Sequence, residues 1–473
     1  MENGNAAARV IQDLRRVAAG SAPGLRLPSV RELTARHQAS PVTVAAAIRQ
    51  LVAEGVVETR NGRGTFVAAR PDRSRTPDLS WQTVSLGPSR AGANEMQALL
   101  ALPPTGAISL STGYLDTDLQ PAAALGAALA RAARQPASWQ RGPVEGREDL
   151  RAWFARESGG GLRAEDMVIC PGGQAALSTA LRALTAPGDT VLVESPTYLG
   201  ALAVARAAGL RVVPVPADDD GVRPDQLAAA FARTQAKLFY CQPLHANPTG
   251  ATLAAERRAA VAEAVREAAA FLIEDDYARD LTIDGTPPPP LAADDPDGHV
   301  VYLRSLTKPA APGLRVAAIG ARGPAGARLR AARLLDDFFV AGPLQAATCE
   351  FVASPAWTRH RRSLATALRD RREALLAALS RHLPGLVPAR VPRGGMHLWV
   401  RLPEGVDDTA LATAAAAHGV IVFPGRPWFA AEPPGSFLRL SFAASPPDRM
   451  DEAVRRLAGM LATAQPLRGV DAF

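Results

Sequence analysis

The stretch VVYLRSLTKPAAPGLRVAAIG, residues 300–320, opens as an apolar strand over Val300–Arg304. It runs into Ser305-Leu306-Thr307-Lys308, turns through Pro312-Gly313-Leu314-Arg315 and resumes as a strand at Val316–Gly320. Its lysine is rare: of 53 basic residues only Lys237 and Lys308 are lysines, and the other 51 are arginines. Where a side chain need only be positive, this protein uses guanidinium. A lysine at a strand end, flanked by hydroxyls and with Arg315 seven positions on, therefore points to chemistry reserved for a primary amine, such as a Schiff base. Lys237, ahead of an apolar strand, reads as a solvated edge residue.

Outward from this stretch, apolar runs at Met167–Cys170, Thr190–Glu194, Arg211–Val215, Lys237–Cys241 and Phe271–Glu274 alternate with Ala/Arg-rich helical segments. Such alternation predicts an α/β fold, a mostly parallel sheet covered by helices on both faces. Ligands of these sheets bind beyond the strand ends. After the first run come Gly172-Gly173-Gln174 and a helix, which offer backbone N–H groups to an anion and equally serve a turn. After the second, ESPTYLG places Tyr198 either in the core or against a planar ligand. After the fourth, Asn247-Pro248-Thr249-Gly250 is turn chemistry that also aims an amide at the sheet's end. After the fifth, Glu274-Asp275-Asp276-Tyr277 is either a solvated acidic loop or a partly buried acid.

The first 75 residues differ in character, with twelve Arg against six acidic residues, a net +6 of the chain's +7. A basic segment beside a nearly neutral body is the footprint of a nucleic-acid module. Apolar residues at helical spacing (Val10, Ile11, Leu14, Val17) precede a helix that Ser29 caps with Glu32 three residues on. Ser40 opens a third helix with Val44, Ala47, Ile48 and Leu51 on one face, ended by Gly55. VVETRNGRGTFVA then reads as two strands around Asn61-Gly62. That order is a winged helix-turn-helix. From Ala69 to about Pro104 the periodicity dissolves into a tether, with a short helix around Asn94–Leu102 docking on the body. The expected boundaries are 1–70 for the DNA-binding domain, 71–104 for the linker and 105–473 for the large domain, whose smaller α+β subdomain spans about 345–465.

LPSVREL, Ser40, Thr43-Val44, Glu54-Gly55 and GRGTFV closely resemble the GntR family's DNA-binding domain. The resemblance implies that the third helix enters the major groove of double-stranded DNA. Ser29, Arg31, Ser40, Thr43 and the wing at Arg63-Gly64 would then approach phosphates and base edges. Pro41 stands where the family often has Arg. In the body, GGQ, PTY, NPTG, EDDY, SxxK, PGLR and FLRLSF (with Arg439) follow one another as in fold type I aminotransferases. With GGMHLWV at 394–400, the whole chain is similar to the MocR subfamily of regulators.

That resemblance implies pyridoxal 5'-phosphate on Lys308 as a Schiff base and Asp275 on the pyridine nitrogen. Tyr277 and Asn247 would meet the ring's phenolate oxygen, with Tyr198 on its face. Gly172, Gly173, Gln174, Ser305 and Arg315 would hold the phosphate, and Arg439 an amino-acid carboxylate. Lys308, Asp275 and Tyr277 would form the catalytic set. Many relatives carry an aromatic residue at the position of Asn247, so this site is closer than usual to that of a working aminotransferase. Arg141 stands where enzymes often place a Tyr that reaches the partner's phosphate. A homodimer is implied, as is an amino acid or amine effector. Two functions follow: a regulator whose DNA affinity an amino compound or the cofactor shifts, or a transaminase with a vestigial or autoregulatory DNA-binding domain.

Composition narrows the rest. No run of about 18 apolar residues and no apolar signal core occurs, so a cytoplasmic protein without membrane contact is expected. Cys170, Cys241 and Cys349 lack metal or redox spacing and read as reduced structural thiols, with no metal site expected.

Overall fold

A computed structural model describes residues 2–69, 78–87, 93–386, 388 and 390–464. The chain divides into two units, Met1–Pro88 and Ser89–Phe473.

In the first unit, α1 (Glu2–Ala19), α2 (Val30–His37) and α3 (Pro41–Ala53) precede the wing strands β1 (Val57–Arg60) and β2 (Gly64–Val67). Val10, Leu14, Leu33, Val44, Ile48, Leu51, Val57 and Val67 make one buried core. Both expected caps form. Ser29 Oγ accepts from the Glu32 N–H at 3.3 Å while Glu32 accepts from the Ser29 N–H at 2.7 Å, and Ser40 Oγ accepts from the Thr43 N–H at 3.1 Å. The wing departs from a two-residue turn. Arg60 pairs with Gly64, leaving Asn61, Gly62 and Arg63 in the loop, with Gly62 at φ +71 and Gly64 at φ +110. The wing also gains a third edge. The Leu27 N–H donates to Thr65 O at 2.8 Å and the Val67 N–H to Leu25 O at 2.9 Å.

The tether carries two short helices, Ser80–Leu86 and Ala93–Leu100. The second packs Met96 and Leu99 on Leu199, Phe423 and Trp428. Residues 70–77 and 88–92 lie outside the described residues.

The second unit begins with β3 (Ile108–Ser109). Its main sheet comprises β4 (Met167–Cys170), β5 (Thr190–Ser195), β6 (Arg211–Asp218), β7 (Gly221–Val222), β8 (Leu238–Cys241), β9 (Phe271–Asp275), β10 (Val300–Ser305) and β11 (Ala317–Gly320). They lie in the order β4-β11-β10-β9-β8-β5-β6-β7. Successive side chains alternate between two buried layers: Val191, Val193, Val301 and Leu303 on one face, Leu192, Val300 and Tyr302 on the other. Burial of both faces is why the strands read as unbroken apolar runs.

β6, β5, β8, β9 and β10 are parallel, whereas β7 runs antiparallel to β6 and β11 antiparallel to both β10 and β4. The carboxyl ends of β4, β5, β8, β9 and β10 therefore share one edge. The reversal of β11 brings the residues that precede it, Arg315 among them, to that same edge.

β12 (His397–Arg401), β13 (Val420–Ile421), β14 (Phe423–Pro424) and β15 (Phe437–Ser441) follow. β12, β15 and β14 form a three-stranded sheet, and β13 pairs in parallel with β3. Ile108, Leu110 and Leu115 are thus buried with Leu364, Leu398, Leu440 and Leu457 in a C-terminal core. The helix Gly342–Ala353 instead sends Ala346, Ala347 and Phe351 to the main sheet's layer. Among the described residues no helix is long and apolar enough to cross a membrane.

Candidate functional site

At the shared edge a pocket is lined by Tyr114, Gly173, Gln174, Tyr198, Gln242, Asn247, Asp275, Tyr277, Ser305, Thr307, Lys308 and Arg315. One end is a cradle. Gly172 sits at φ +94 before the helix Gly173–Leu184, whose N-terminus has no side-chain cap. The first N–H groups of that helix therefore lack helical acceptors. A Cβ on Gly172 would lie 2.4 Å from Arg315 Nη2, so only glycine lets the guanidinium approach. Arg315 Nη2 donates to Pro171 O at 3.0 Å. Ser305 lies under Gly173, where a Cβ would stand 3.4 Å from its own. Nearby, Thr307 Oγ1 is buried without a partner among the described residues. Free N–H groups, hydroxyls and a guanidinium around one point suit an anion.

Lys308 occupies the middle. Its Nζ donates to Gly113 O at 2.8 Å and stands 3.8 Å from the centre of the Tyr114 ring. Burial, reinforced by the Arg439 and Arg315 charges, pulls the amine down to about 7. Asp275, the last residue of β9, accepts through Oδ2 from Tyr240 OH at 2.7 Å and Gln242 Nε2 at 2.9 Å. Burial pushes its carboxyl up to about 6 against those two donors. Among the described residues nothing bonds its Oδ1.

At the other end, Arg439 on β15 is buried and lies 4.5 Å over the Trp428 ring. Nη1 donates to Asn247 Oδ1 at 3.2 Å, Nη2 donates to Ser111 O, and His397 Nε2 lies 3.5 Å from Nη1. Burial and the Arg439 and Lys308 charges hold the His397 imidazole well below its usual range.

Most residues singled out from sequence meet here, some with partners of their own. The Gln174 side chain accepts from Tyr198 OH at 3.0 Å and donates to Gly200 O at 3.1 Å, which leaves its backbone N–H for the cradle. Tyr277 OH donates to His245 O at 2.8 Å. Arg141 is exposed and does not line this chain's pocket, and Lys237 is exposed as expected. Sequence reading missed Tyr240 and Gln242, which hold Asp275, as well as Ser111, Gly113, Tyr114 and His397. The first pair had a signal: they flank Cys241 at the end of β8, two positions apart, where alternation sends both to one face. The 111–114 segment had none, since its partners lie about 200 to 330 residues away.

In the first unit, Ser29 and Ser40 are exposed caps and Thr43 is half-buried. Arg31 and Arg63 are exposed and, among the described residues, free of ion pairs.

The donor set fits a pyridine aldehyde phosphate. It has an anion cradle with an unpartnered buried hydroxyl, a primary amine poised near neutrality, and a buried carboxylate with one oxygen open to the pocket. Fold and site together define an aminotransferase-like domain of fold type I in a chain that also carries a winged-helix head. Residues 105–457 match the aminotransferase class I and II family, and residues 4–67 match the gntR family of bacterial regulatory proteins. The HTH-type transcriptional regulator TauR of Rhodobacter capsulatus is 30% identical, covering 93% of this chain and 92% of its own. The probable rhizopine catabolism regulatory protein MocR of Rhizobium meliloti is 26% identical over 91% and 88%. The crystal structure of LysN, the α-aminoadipate aminotransferase of Thermus thermophilus, complexed with N-(5'-phosphopyridoxyl)-L-leucine, superposes with a TM-score of 0.74. That alignment is 30% identical and covers 82% of this chain and 99% of LysN. The chain belongs to the MocR subfamily of GntR-type regulators, in which a winged-helix reader is fused to a class I and II aminotransferase domain.

Proposed function

We propose that this chain is a homodimeric transcription regulator that holds pyridoxal 5'-phosphate at Lys308 and changes its affinity for operator DNA when an amino acid or amine enters the site. The observation that carries the reading is the Lys308 amine, half-buried at the sheet edge in one pocket with Asp275 and Arg315 and pulled down to about 7. Bound there, the cofactor supplies an aldehyde for amines and a ring that accepts electrons. Gly172, Gly173, Ser305 and Arg315 would bind its phosphate, with the Gln174 backbone N–H. Asp275 would hold a proton on the ring nitrogen, itself kept in place by Tyr240 and Gln242. Tyr277 and Asn247 would orient the ring's oxygen, and Tyr198 would cover its face. Arg439 would receive the effector's carboxylate, and its present partner Ser111 O would then be released.

The dimer is supported by large apolar side chains that the second unit leaves exposed, Trp139, Leu335 and Phe338. A cytoplasmic setting accords with DNA as the partner. Ser29, Arg31, Ser40, Thr43, Arg63 and Gly64 are the proposed DNA contacts. The test is a mobility-shift titration of full-length protein on DNA upstream of its own gene, with cofactor and each amino acid in turn. At least one amino compound should shift affinity, by about 5- to 150-fold for an ordinary coupling. No shift with any of them would remove the sensing role.

A second reading, transamination, is favoured by Asn247 lying against Arg439. Sustained conversion of an amino acid and a keto acid, without DNA binding, would establish it instead.

A further inference from the structure

We propose that the leading turn of α3 reads its operator through apolar contact of Val42 with thymine C5-methyl groups. This rests on the DNA-binding reading above and adds the chemistry of the bases read. α3 buries Val44, Ala47, Ile48 and Leu51 in the head's core. Its outward face therefore runs Val42, Ala46, Arg49, spaced i, i+4, i+7. Val42 is 75% exposed at the second helical position, and Pro41 ahead of it is also exposed.

An isolated exposed valine needs no explanation on most surfaces. This one heads the helix that the fold directs to base edges, within a 75-residue segment holding twelve Arg and a net +6, a surface complementary to a polyanion.

The polar groups around it bond in part to one another. Ser40 Oγ and Thr43 Oγ1 lie 2.8 Å apart, and Ser40 Oγ also caps the Thr43 N–H. Gln50 Nε2 donates to Glu54 at 3.0 Å. From Pro41 to Ile48 the helix carries no charged residue, and Arg49 is its only cation. On the wing, Arg60 is bonded to Glu58 and lies over Phe66. In the major groove guanine presents only acceptors and cytosine a donor, whereas thymine alone presents an apolar group. The leading turn of α3 keeps one spare hydroxyl hydrogen within the Ser40–Thr43 pair and carries beside it an exposed branched hydrocarbon, Val42.

The experiment uses full-length protein and a pool of random DNA duplexes. Duplexes retained through repeated selection are sequenced, then resynthesised with deoxyuridine replacing each thymine in turn, a change that deletes only the methyl. We expect one or two thymines per half-site at which uracil weakens binding about fourfold, one methyl's burial. Val42→Ala should abolish that loss while binding the uracil duplex as the parent does. Arg63→Ala should weaken all duplexes alike. Selected half-sites with guanine at those steps, indifference to uracil, or a uracil effect unchanged in Val42→Ala would each overturn the proposal and leave DNA binding intact. Retention of no duplex at all would overturn both.

Discussion

Desolvation, reinforced by the Arg439 and Arg315 charges, brings the Lys308 amine to about 7, and that sets the pH at which it reacts. Below about 7 the proton stays on and the free amine falls about tenfold per pH unit. Well above 7 the amine is wholly free and the rate is level. An ordinary lysine, at 10.5, would keep accelerating through pH 9. Stopped-flow binding of pyridoxal phosphate to cofactor-free protein should give the first profile. Lys308→Arg should leave no borohydride-fixed adduct on that peptide, because a guanidinium cannot condense with the aldehyde. A second expectation concerns Gly172. Alanine there meets Arg315 at 2.4 Å in a left-handed backbone, so the guanidinium must leave the cradle. Gly172→Ala should weaken pyridoxal phosphate about tenfold or more, some 1.4 kcal/mol per decade, and pyridoxal far less. Equal losses for both would contradict the cradle. These side chains were legible because each follows a strand. Tyr240 lies within β8 and reads as core until its hydroxyl is seen on Asp275.

Among elements, α3 depends on its cap. Ser40→Ala removes the acceptor for the Thr43 N–H and should cost about 1 kcal/mol of head stability. The first transition in urea unfolding of the full chain would report it, and an unchanged midpoint would argue that the cap is redundant. The strands of the main sheet were readable because both of their faces are buried, which gives unbroken apolar runs. Two elements were not readable, for one shared reason. Leu25–Leu27 joins the wing, and Ile108–Ser109 joins the C-terminal core, through backbone hydrogen bonds to residues about 40 and 310 positions away. Neither segment carries a local pattern, and a two-residue strand is too short to show alternation. Reading the subdomain as a continuous C-terminal block therefore misses Ile108, Leu110 and Leu115.

For the whole molecule, the order of motifs along the chain was more informative than any one of them, because each is ordinary turn chemistry alone. Oligomerisation is where the surface speaks. Leu335 and Phe338 are 84% and 68% exposed, far more than a solvated surface requires of two neighbouring large apolar residues. Leu335→Asp with Phe338→Asp should turn a dimer into a monomer in sedimentation at micromolar protein, with the fold intact by circular dichroism. A parent protein that sediments as a monomer would remove the dimer from the scheme.

The entry of the chain into the body has a mechanical corollary. Residues 108–113 follow the tether, and two of their carbonyls hold cations of the site, Ser111 O on Arg439 and Gly113 O on Lys308. A guest that draws Lys308 or Arg439 away from these carbonyls loosens the same short ribbon in either case.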